Sequence, residues 1–249
     1  MQAVLLVAGM GRRIGPRTEY GPKCMLSVAG RPLLHWSMDN LSAAGMDSVV
    51  MVVGHYGAAI QQYFGRKWKS LTVQYVENPE FARSGSFWSL MHARPFLQPG
   101  RFLLVEGDLL YHPEFVRIAI ELEDCSILTS DVSGSGDEVF VSTNDRGLLV
   151  ALGKGLKKQE RLVSPGELSG ISLLHTDMLP LTVGPDEMHL DYEDHLVKAS
   201  RQHALAVKHC PGLPWIEIDT EADYRRATRE VLPQLRSGGT MRDGVTADR

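Results

Sequence analysis

"VLLVAGMGRRIGPRTEYGPKCML", residues 4–26, joins an apolar run to a basic loop rich in glycine. Five apolar residues run directly into glycines, two arginines follow, and Pro22-Lys23 begins nine residues after Arg13. The continuous apolar run predicts a strand that is buried on both faces. A glycine-rich loop after such a strand exposes backbone N–H groups, which attract phosphate. Three interpretations follow: a dinucleotide-binding turn, a loop around a nucleoside triphosphate, or a glycine-rich structural turn.

Two well-known phosphate-binding loops do not match these residues. A dinucleotide-binding turn has the pattern G-x-G-x-x-G, and an acidic residue ends the next strand. Here Gly15 lies one position too late, and the next apolar run ends in Gly54-His55, which offers no carboxylate. A P-loop requires Gly-Lys-Ser or Gly-Lys-Thr, whereas this chain has Pro22-Lys23-Cys24. The loop around a triphosphate and the structural turn remain.

The first half of the chain alternates between strand and helix patterns. Apolar runs predict strands at 3–8, 48–54, 71–78 and 101–111, and amphipathic patterns predict helices at 32–45, 58–68 and 85–97. This alternation predicts a mostly parallel sheet with helices on both faces. In the second half we expect strands at 124–131, 138–144, 148–153, 169–176 and 215–219, a hairpin turn at "NDRG", and helices at 191–203 and 220–235. Residues 237–249 are polar and glycine-rich, and we expect them to be disordered.

Composition narrows the class of protein. The 249 residues are 43% hydrophobic and 22% charged, which is ordinary for a soluble globular protein. The net charge is -4, and the sequence has no long run of residues of one charge, so we expect no nucleic-acid partner. Three separated cysteines without a C-x-x-C pair favour reduced thiols in a cytoplasmic protein. No apolar run suits a membrane span, and the first one breaks at Gly9, unlike a signal peptide.

Acidic residues lie at two predicted strand ends. Asp108 follows an apolar run, at the carboxyl edge of the sheet where ligands of open α/β folds bind. Glu217 and Asp219 are two residues apart on a strand and therefore share one face. Mg²⁺ prefers a few carboxylate oxygens, with phosphates and water completing its octahedron. The pattern predicts a Mg²⁺ site formed by Asp108, Asp219 and Glu217.

The opening stretch resembles the signature loop of the nucleotidyltransferases, which include sugar-1-phosphate pyrophosphorylases and phosphocholine cytidylyltransferases. The positions that match the pattern L-x-A-G-x-G-x-R and the later P-K are Leu6, Ala8, Gly9, Gly11, Arg13, Pro22 and Lys23. Residues 78–90, 106–115, 166–174 and 215–227 are similar to the family's phosphocholine and phosphonate branch. Enzymes of this branch that take alkylammonium acceptors tend to carry asparagine or threonine where this chain has Ser84-Gly85-Ser86, so the acceptor stays open.

The resemblance implies a nucleotide-diphospho-sugar transferase fold: a Rossmann-like, mostly parallel mixed sheet with helices on both faces and a small β-rich acceptor-side subdomain. One domain would span residues 1–236, with a nucleotide-binding half (1–115) and an acceptor-binding half (116–236). The implied reaction is a Mg²⁺-dependent transfer of CMP from CTP to a small phosphonate or phosphocholine-like acceptor, with release of pyrophosphate. The resemblance favours phosphonate and antibiotic biosynthesis and allows a homodimer.

The same resemblance assigns roles to residues. Arg13 would grip the triphosphate, and Lys23 would reach the α-phosphate. Metal ligation falls to Asp108, Asp219 and Glu217. The other nucleotide-binding and acceptor-binding positions are Leu6, Ala8, Gly9, Met10, Gly11, Arg12, Ser86, Ser89, Glu106, Gly107, Glu167 and Gly170.

The acceptor pocket admits two interpretations. Ser169 and four aromatic residues, Trp88, Tyr111, Tyr192 and Trp215, are further candidates for its lining, and aromatic faces with a carboxylate suit an ammonium group. Arg83 would instead favour an acceptor with a second acidic group. Trp88 and Trp215 are equally consistent with positions in the core, and Tyr192, Glu193 and Asp194 with the start of a solvated helix.

Other activities compete with the cytidylyltransferase interpretation. One is a sugar-1-phosphate nucleotidyltransferase, and another is a non-catalytic nucleotide-binding regulatory subunit. An NAD(P)-dependent oxidoreductase is a third. The paired strand-end carboxylates argue against a regulatory subunit, because such a subunit has no need of a metal site.

Overall fold

Strand β1 (Gln2–Val7) lies at the centre of the sheet in the computed structural model, which describes residues 1–18, 21–156 and 166–237. The other strands are β2 (Ser27–Val28), β3 (Arg31–Pro32), β4 (Ser48–Val53), β5 (Lys67–Trp68), β6 (Leu71–Glu77), β7 (Arg101–Glu106), β8 (Leu109–Tyr111), β9 (Ser126–Ser130), β10 (Phe140–Thr143), β11 (Leu149–Gly153), β12 (Glu167–His175), β13 (Ala206–His209) and β14 (Trp215–Glu217). The α-helices are α1 (Leu33–Ala43), α2 (Gly57–Phe64), α3 (Ser86–Ala93), α4 (Glu114–Glu121), α5 (Tyr192–Ala199), α6 (Glu221–Arg226) and α7 (Leu232–Ser237).

The main sheet has the order β11-β10-β12-β7-β1-β4-β6-β5. Strands β7, β1, β4 and β6 are parallel, and β12 joins β7 in antiparallel register, Leu173 opposite Leu103. The chain runs outward from β1 through β4 to β6 and then returns through α3 to β7 on the other side of β1. This reversal creates a crevice at the carboxyl ends of β1 and β7, where ligands of open α/β sheets bind.

Helices cover both faces of this sheet, as the apolar run of β1 predicts. Side chains alternate along the strand: Leu5 packs with α1, α2 and α4 on one face, while Val4 packs with α3 and α5 on the other. A third apolar cluster lies beneath β8 and β14 and includes Leu110 and Ile216. The cores on both faces hold the carboxyl ends of the strands at fixed positions.

Gly107 permits the close contact between β1 and β7 at the edge of the crevice. Its N–H donates to the Leu6 carbonyl at 3.1 Å. A Cβ on Gly107 would lie 2.3 Å from Val7 Cγ1 and 2.7 Å from the Leu6 oxygen, too close for either contact. Only glycine therefore allows Asp108 to follow β7 at this position.

Several element predictions need correction. Residues 101–111 do not form one strand, because the chain leaves the main sheet at Gly107 and β8 pairs with β14 in a separate two-stranded sheet. The helix predicted at 58–68 ends at Phe64, and Lys67–Trp68 pairs antiparallel with the edge of β6. The helix predicted at 85–97 becomes a 3₁₀ turn at Arg94–Phe96, since Pro95 lacks the N–H that an α-helix requires.

Most other predicted elements are confirmed, although the strand predicted at 215–219 ends at Glu217 and the helix predicted at 191–203 ends at Ala199. The structure adds β2, β3, α4 and β13, which the sequence did not predict. The "NDRG" turn joins the antiparallel pair β10 and β11. Strand β13, absent from the sequence prediction, lies parallel to β9. The β-rich half is an antiparallel extension of the main sheet through β12.

The sequence predicts that the tail from residue 237 onward is disordered. Ser237 instead ends helix α7, and residues 238–249 lie outside the described residues. Among the helices described, none combines the length and apolar character that crossing a membrane demands.

A capping box fixes the start of α6 beside the acidic strand end. The Thr220 hydroxyl donates to Asp223 Oδ2 at 2.7 Å and accepts from the Asp223 N–H at 3.2 Å. Asp223 Oδ2 also accepts from the N–H groups of Thr220 and Asp219, at 2.9 and 3.3 Å. The cap therefore holds the backbone of Asp219 as well as the helix.

We predict that Thr220→Ala lowers the free energy of unfolding by about 1 kcal/mol, because it removes the side-chain cap. Urea denaturation followed by circular dichroism measures this change. Thr228→Ala is the control: its hydroxyl bonds to a carbonyl of its own helix at 3.0 Å, and we expect a change within about 0.5 kcal/mol. Equal effects of the two substitutions would contradict the assignment of the cap.

Candidate active site

A cleft of about 540 Å³ opens at the crevice between β1 and β7. The residues to which the resemblance assigns catalytic, nucleotide-binding, acceptor-binding or metal-binding roles all line it: Leu6, Ala8, Gly9, Met10, Gly11, Arg12, Arg13, Lys23, Ser86, Ser89, Glu106, Gly107, Asp108, Glu167, Gly170, Glu217 and Asp219. The sheet topology brings these distant segments together, because β1, β7, β12 and β14 all contribute to the walls. Their placement in one cleft supports the predicted roles without testing them.

The glycine loop packs directly against the lysine that follows it. Gly11 has a positive φ of 60°, and a Cβ there would lie 2.7 Å from Lys23 Cβ. Thr18 closes the loop, since its hydroxyl donates to the Gly11 carbonyl at 3.0 Å. The spacing between the glycines and Pro22-Lys23 thus brings the lysine side chain to the mouth of the loop.

Lys23 is held between two carboxylates that come from different strand ends. Its Nζ lies 2.5 Å from Asp108 Oδ2 and 2.6 Å from Asp219 Oδ1. Burial lowers the pKa of this ammonium, but the charges of Asp108 and Asp219 outweigh that effect and raise the pKa above its usual value. Lys23 therefore stays charged in the cleft. Two of the three residues predicted to bind a metal form the ion pairs of Lys23 in this structure.

Two further carboxylates crowd the same point. Oxygens of Glu106, Asp108 and Glu217 lie within 4.8 Å of one another. Desolvation and then the charge of Asp108 raise the pKa of Glu106 well above its usual value, and they raise that of Glu217 to about 11. Asp108 Oδ1 is buried and lacks a hydrogen-bond partner among the described residues. The cluster carries more carboxylates than its cations neutralise.

Arg13 extends the charged network to a second wall. One guanidinium nitrogen lies 2.7 Å from Asp219 Oδ2, and the other donates to Asp137. Asp137 also accepts a hydrogen bond from Lys154. Burial lowers the pKa of Arg13, but Asp219 and Asp137 raise it above its usual value. The loop after β9 and the end of β11 therefore complete the wall that Arg13 faces.

The opposite wall is built where α3 meets α5. The Ser86 hydroxyl donates to Asp191 at 3.2 Å and accepts from the Tyr192 N–H at 2.8 Å. Tyr192 is buried, and its hydroxyl donates to Glu106. Glu193 also lines the cleft. Burial raises its pKa to about 7, and its Oε2 is buried without a partner among the residues described.

Ser89 and Glu167 line the cleft but are engaged by protein groups. The Asn78 side-chain amide donates to the Ser89 hydroxyl at 2.9 Å. Glu167 accepts from the N–H of Ser133 at 2.6 Å and from its hydroxyl at 3.1 Å. These contacts fix the α3 segment and the loop after β9 relative to the cleft.

Several acceptor candidates from the sequence lie outside the cleft lining. Ser169 is buried and its hydroxyl donates to the Leu128 carbonyl at 2.9 Å, so it supports the sheet. The side chain of Arg83 is 73% exposed and lies 4.0 Å from Glu80. Tyr111 is buried in the core, and Trp215 packs against that core. Trp88 directs its indole N–H to Glu80 at 3.4 Å. Of the four aromatic candidates, Tyr192 alone lines the described cleft.

The sequence prediction missed three charged residues of the cleft, Asp137, Lys154 and Asp191, and left the role of a fourth, Glu193, open. Asp137 and Lys154 belong to polar turns, and Asp191 and Glu193 lie at a helix start where acidic residues are common for capping alone. No spacing rule marks such positions. The one available signal was the neighbouring Tyr192, an aromatic residue beside acidic ones, which the sequence analysis had included.

Comparison with known proteins identifies the family. Residues 3–164 match the MobA-like NTP transferase domain. The chain belongs to this family. The nucleotidyltransferase resemblance drawn from the glycine loop and Pro22-Lys23 is thereby confirmed.

Relatives of this MobA-like chain include cytidylyltransferases of phosphonates. It is 30% identical to CMP-5'-(3-aminopropyl)phosphonate synthase of Streptomyces rubellomurinus, over 99% of this chain and 42% of that protein. It is 29% identical to 2-aminoethylphosphonate cytidylyltransferase of Lancefieldella rimae, over 61% of each chain. The chain thus spans less than two thirds of the length of these relatives.

Solved structures show the same fold. The inositol-1-phosphate CTP transferase of T. maritima superposes with a TM-score of 0.80 at 20% identity, over 95% of this chain and 96% of that one. The CTP:phosphocholine cytidylyltransferase LicC of Streptococcus pneumoniae gives a TM-score of 0.72 at 20% identity, over 91% and 97%. The predicted nucleotide-diphospho-sugar transferase fold is confirmed.

We predict that Glu217→Gln stabilises the metal-free protein at pH 8 by about 1 kcal/mol. The folded-state pKa of about 11 lies above the ordinary value of 4.5, so the folded state retains a proton that the unfolded chain releases. The stability of the wild type therefore falls as pH rises above about 4.5, and the glutamine variant lacks that loss. The gain should vanish near pH 4.

Urea denaturation in EDTA across this pH range measures the gain. Glu121→Gln, at an exposed position on α4, is the matched control and should show no pH-dependent gain. A glutamine variant at position 217 that is less stable than the wild type at pH 8 would show that the carboxyl stabilises the fold instead.

Proposed function

We propose that this chain is a Mg²⁺-dependent cytidylyltransferase that transfers CMP from CTP to a small phosphonate or phosphocholine-like acceptor and releases pyrophosphate. One observation carries the proposal: the Lys23 ammonium lies between Asp108 and Asp219 at the mouth of a glycine loop, beside the surplus carboxylates Glu106 and Glu217. The phosphonate relatives support the choice of CTP and of the acceptor class. They also favour a place in phosphonate biosynthesis, while a role in antibiotic biosynthesis rests on the family resemblance of the sequence.

The chemistry of the carboxylates fits a hard divalent cation. Glu106, Asp108 and Glu217 place oxygens within 4.8 Å of one another, and a buried Asp108 oxygen lacks a partner among the described residues. Desolvation, and then repulsion from Asp108, raise the pKa of Glu217, and a cation would relieve that repulsion. Asp108 and Glu217 would hold Mg²⁺, with Asp219 or Glu106 as a further ligand; Glu106 is an addition to the ligands predicted from the sequence. The ion would supply charge neutralisation for the phosphates.

Residues of the chain would supply binding, orientation and charge for an in-line displacement. An oxyanion of the acceptor forms a bond to the α-phosphorus, while the bond from that phosphorus to the bridging oxygen breaks and pyrophosphate leaves with the electron pair. Backbone N–H groups of Ala8 to Gly11 would hold the nucleotide, and Arg13 would hold its leaving phosphates. Lys23, kept charged by its carboxylates, would neutralise the α-phosphate as charge shifts.

The wall around α5 favours an acceptor with an ammonium group. Carboxylates of Glu106, Asp191 and Glu193 line this wall, and one oxygen of Glu193 is unpaired among the described residues. Arg83, the candidate for a second acidic group on the acceptor, lies outside the cleft lining. An aminoalkylphosphonate would place its anion near Lys23 and its ammonium toward these carboxylates. We further propose a cytoplasmic enzyme, for which a homodimer is one arrangement.

We predict turnover with CTP and an aminoalkylphosphonate, and slower turnover with hydroxyethylphosphonate or phosphonoformate, which lack the ammonium. Pyrophosphate release, with mass spectrometry of the CDP-linked or CMP-linked product, measures the reaction across CTP, UTP, ATP and GTP. The acceptor panel adds 2-aminoethylphosphonate, phosphocholine and hexose 1-phosphates. Turnover confined to hexose 1-phosphates would contradict the proposal and favour a sugar-1-phosphate nucleotidyltransferase.

The variant Lys23→Met is the control that shows whether turnover in this panel depends on the proposed site. Loss of one charge contact in a desolvated site typically lowers kcat by about a hundredfold or more. Circular dichroism of the variant separates this loss from misfolding. Absence of turnover by the folded wild type with every pair would instead favour the non-catalytic regulatory subunit.

A further inference from the structure

Asp137 is the one acidic residue of the loop after β9, within the described residues, that lines the cleft. It bridges two cations that come from other segments: Arg13 of the glycine loop and Lys154 at the end of β11. The hydrogen bond from Lys154, and then that from Arg13, lower the pKa of this carboxyl below its usual value. Asp137 is therefore an anion placed between two cleft cations.

The loop that carries Asp137 is anchored at its beginning. Ser133 is held by Glu167, and its carbonyl accepts from Arg226 at 2.7 Å. Further along, hydrogen bonds between the loop's own residues hold its backbone. The side chain of Asp137 is 40% exposed. A side chain this exposed can rotate away from the two cations without a change in the sheet.

A carboxylate and a phosphate compete for the same partners. Guanidinium groups bind either anion through the same pair of N–H donors, and ammonium groups bind both as point charges. The side chains of Arg13 and Lys154 are 57% and 60% exposed, so both can reach a ligand in the cleft. A phosphate that approaches these cations while Asp137 remains would meet a like charge at close range.

We propose that Asp137 is an internal counter-anion that holds Arg13 and Lys154 in the substrate-free enzyme and is displaced by the phosphates of the nucleotide. The inference rests on the proposed function, since it assumes that the cleft binds a triphosphate. It assigns Lys154 to the phosphate-binding cations once Asp137 has left. Asp137 then lowers triphosphate affinity, because its two ion pairs must break before binding.

Asp137 could have the opposite role, and its removal would then change the triphosphate affinity in the opposite direction. If Asp137 instead orients Arg13 for the nucleotide, its ion pairs persist in the complex and its removal weakens binding. Asp137→Asn distinguishes the two roles because asparagine keeps the size of the side chain and removes its charge. Glu138→Gln is the matched control: it removes the same charge from the neighbouring position, which is not part of the described cleft lining.

Isothermal titration calorimetry with CTP and with inorganic tripolyphosphate, each in excess Mg²⁺, tests the proposal on the full chain. We expect Asp137→Asn to bind both anions about two- to tenfold more tightly, the range for loss of two partly exposed ion pairs. Glu138→Gln should bind like the wild type. In a Lys154→Gln background the gain from Asp137→Asn should shrink, because one of the two released cations is gone.

Unchanged or weaker binding by folded Asp137→Asn, or an equal gain in Glu138→Gln, would overturn the inference. Failure of the proposed function has a different signature. A wild type that binds tripolyphosphate but not CTP would contradict the cytidylyltransferase, while the comparison of variants with tripolyphosphate would still decide the role of Asp137. A wild type that binds neither anion would overturn both.

Discussion

The ammonium of Lys23 between Asp108 and Asp219 is the interaction on which the arrangement of the cleft depends. Its partners come from the loop after β7 and the segment after β14, at 2.5 and 2.6 Å. The contact joins the glycine loop to both acidic strand ends, which are far apart in sequence. Without this cation four carboxylates would face one another in a partly desolvated cleft, a charge arrangement that costs several kcal/mol. This electrostatic cost accompanies the formation of a site that binds cations and phosphates together.

The architecture makes this contact possible through backbone geometry. The reversal of strand order around β1 opens the crevice, and Gly107 lets β7 approach the Leu6 carbonyl closely enough for Asp108 to enter it. The separate β8–β14 pair then carries Glu217 to the same point, while the Thr220 cap fixes Asp219. Apolar cores on both faces of the sheet keep these elements rigid. The charged cluster is thus held by packing and hydrogen bonds from residues outside the cluster.

The sequence predicts the parts of the site that follow regular periodicity. The apolar run before Gly9 and the acidic residues at strand ends can be located because parallel strands share one edge of the sheet. Pro22-Lys23 can be located because its spacing from the glycine loop matches a family pattern. It does not predict that Lys23 pairs with the carboxylates, since that depends on strand order. Asp137 and Lys154 escape prediction because turns carry no period, and strand β13 because four residues with one lysine give too weak a pattern. The single strand predicted at 101–111 fails because apolar runs do not reveal a change of sheet.

The surplus carboxylates beside Lys23 should hold a divalent ion together with the triphosphate. Electron paramagnetic resonance of free Mn²⁺ tests this binding, when Mn²⁺ is titrated into the protein with CTP and into CTP alone. We expect the wild type with CTP to bind Mn²⁺ more tightly than CTP does by itself. Asp108→Asn, folded and at the same concentration, should lose most of this extra binding. Equal Mn²⁺ binding by the wild type, the variant and protein-free CTP would show that the carboxylates do not hold the ion.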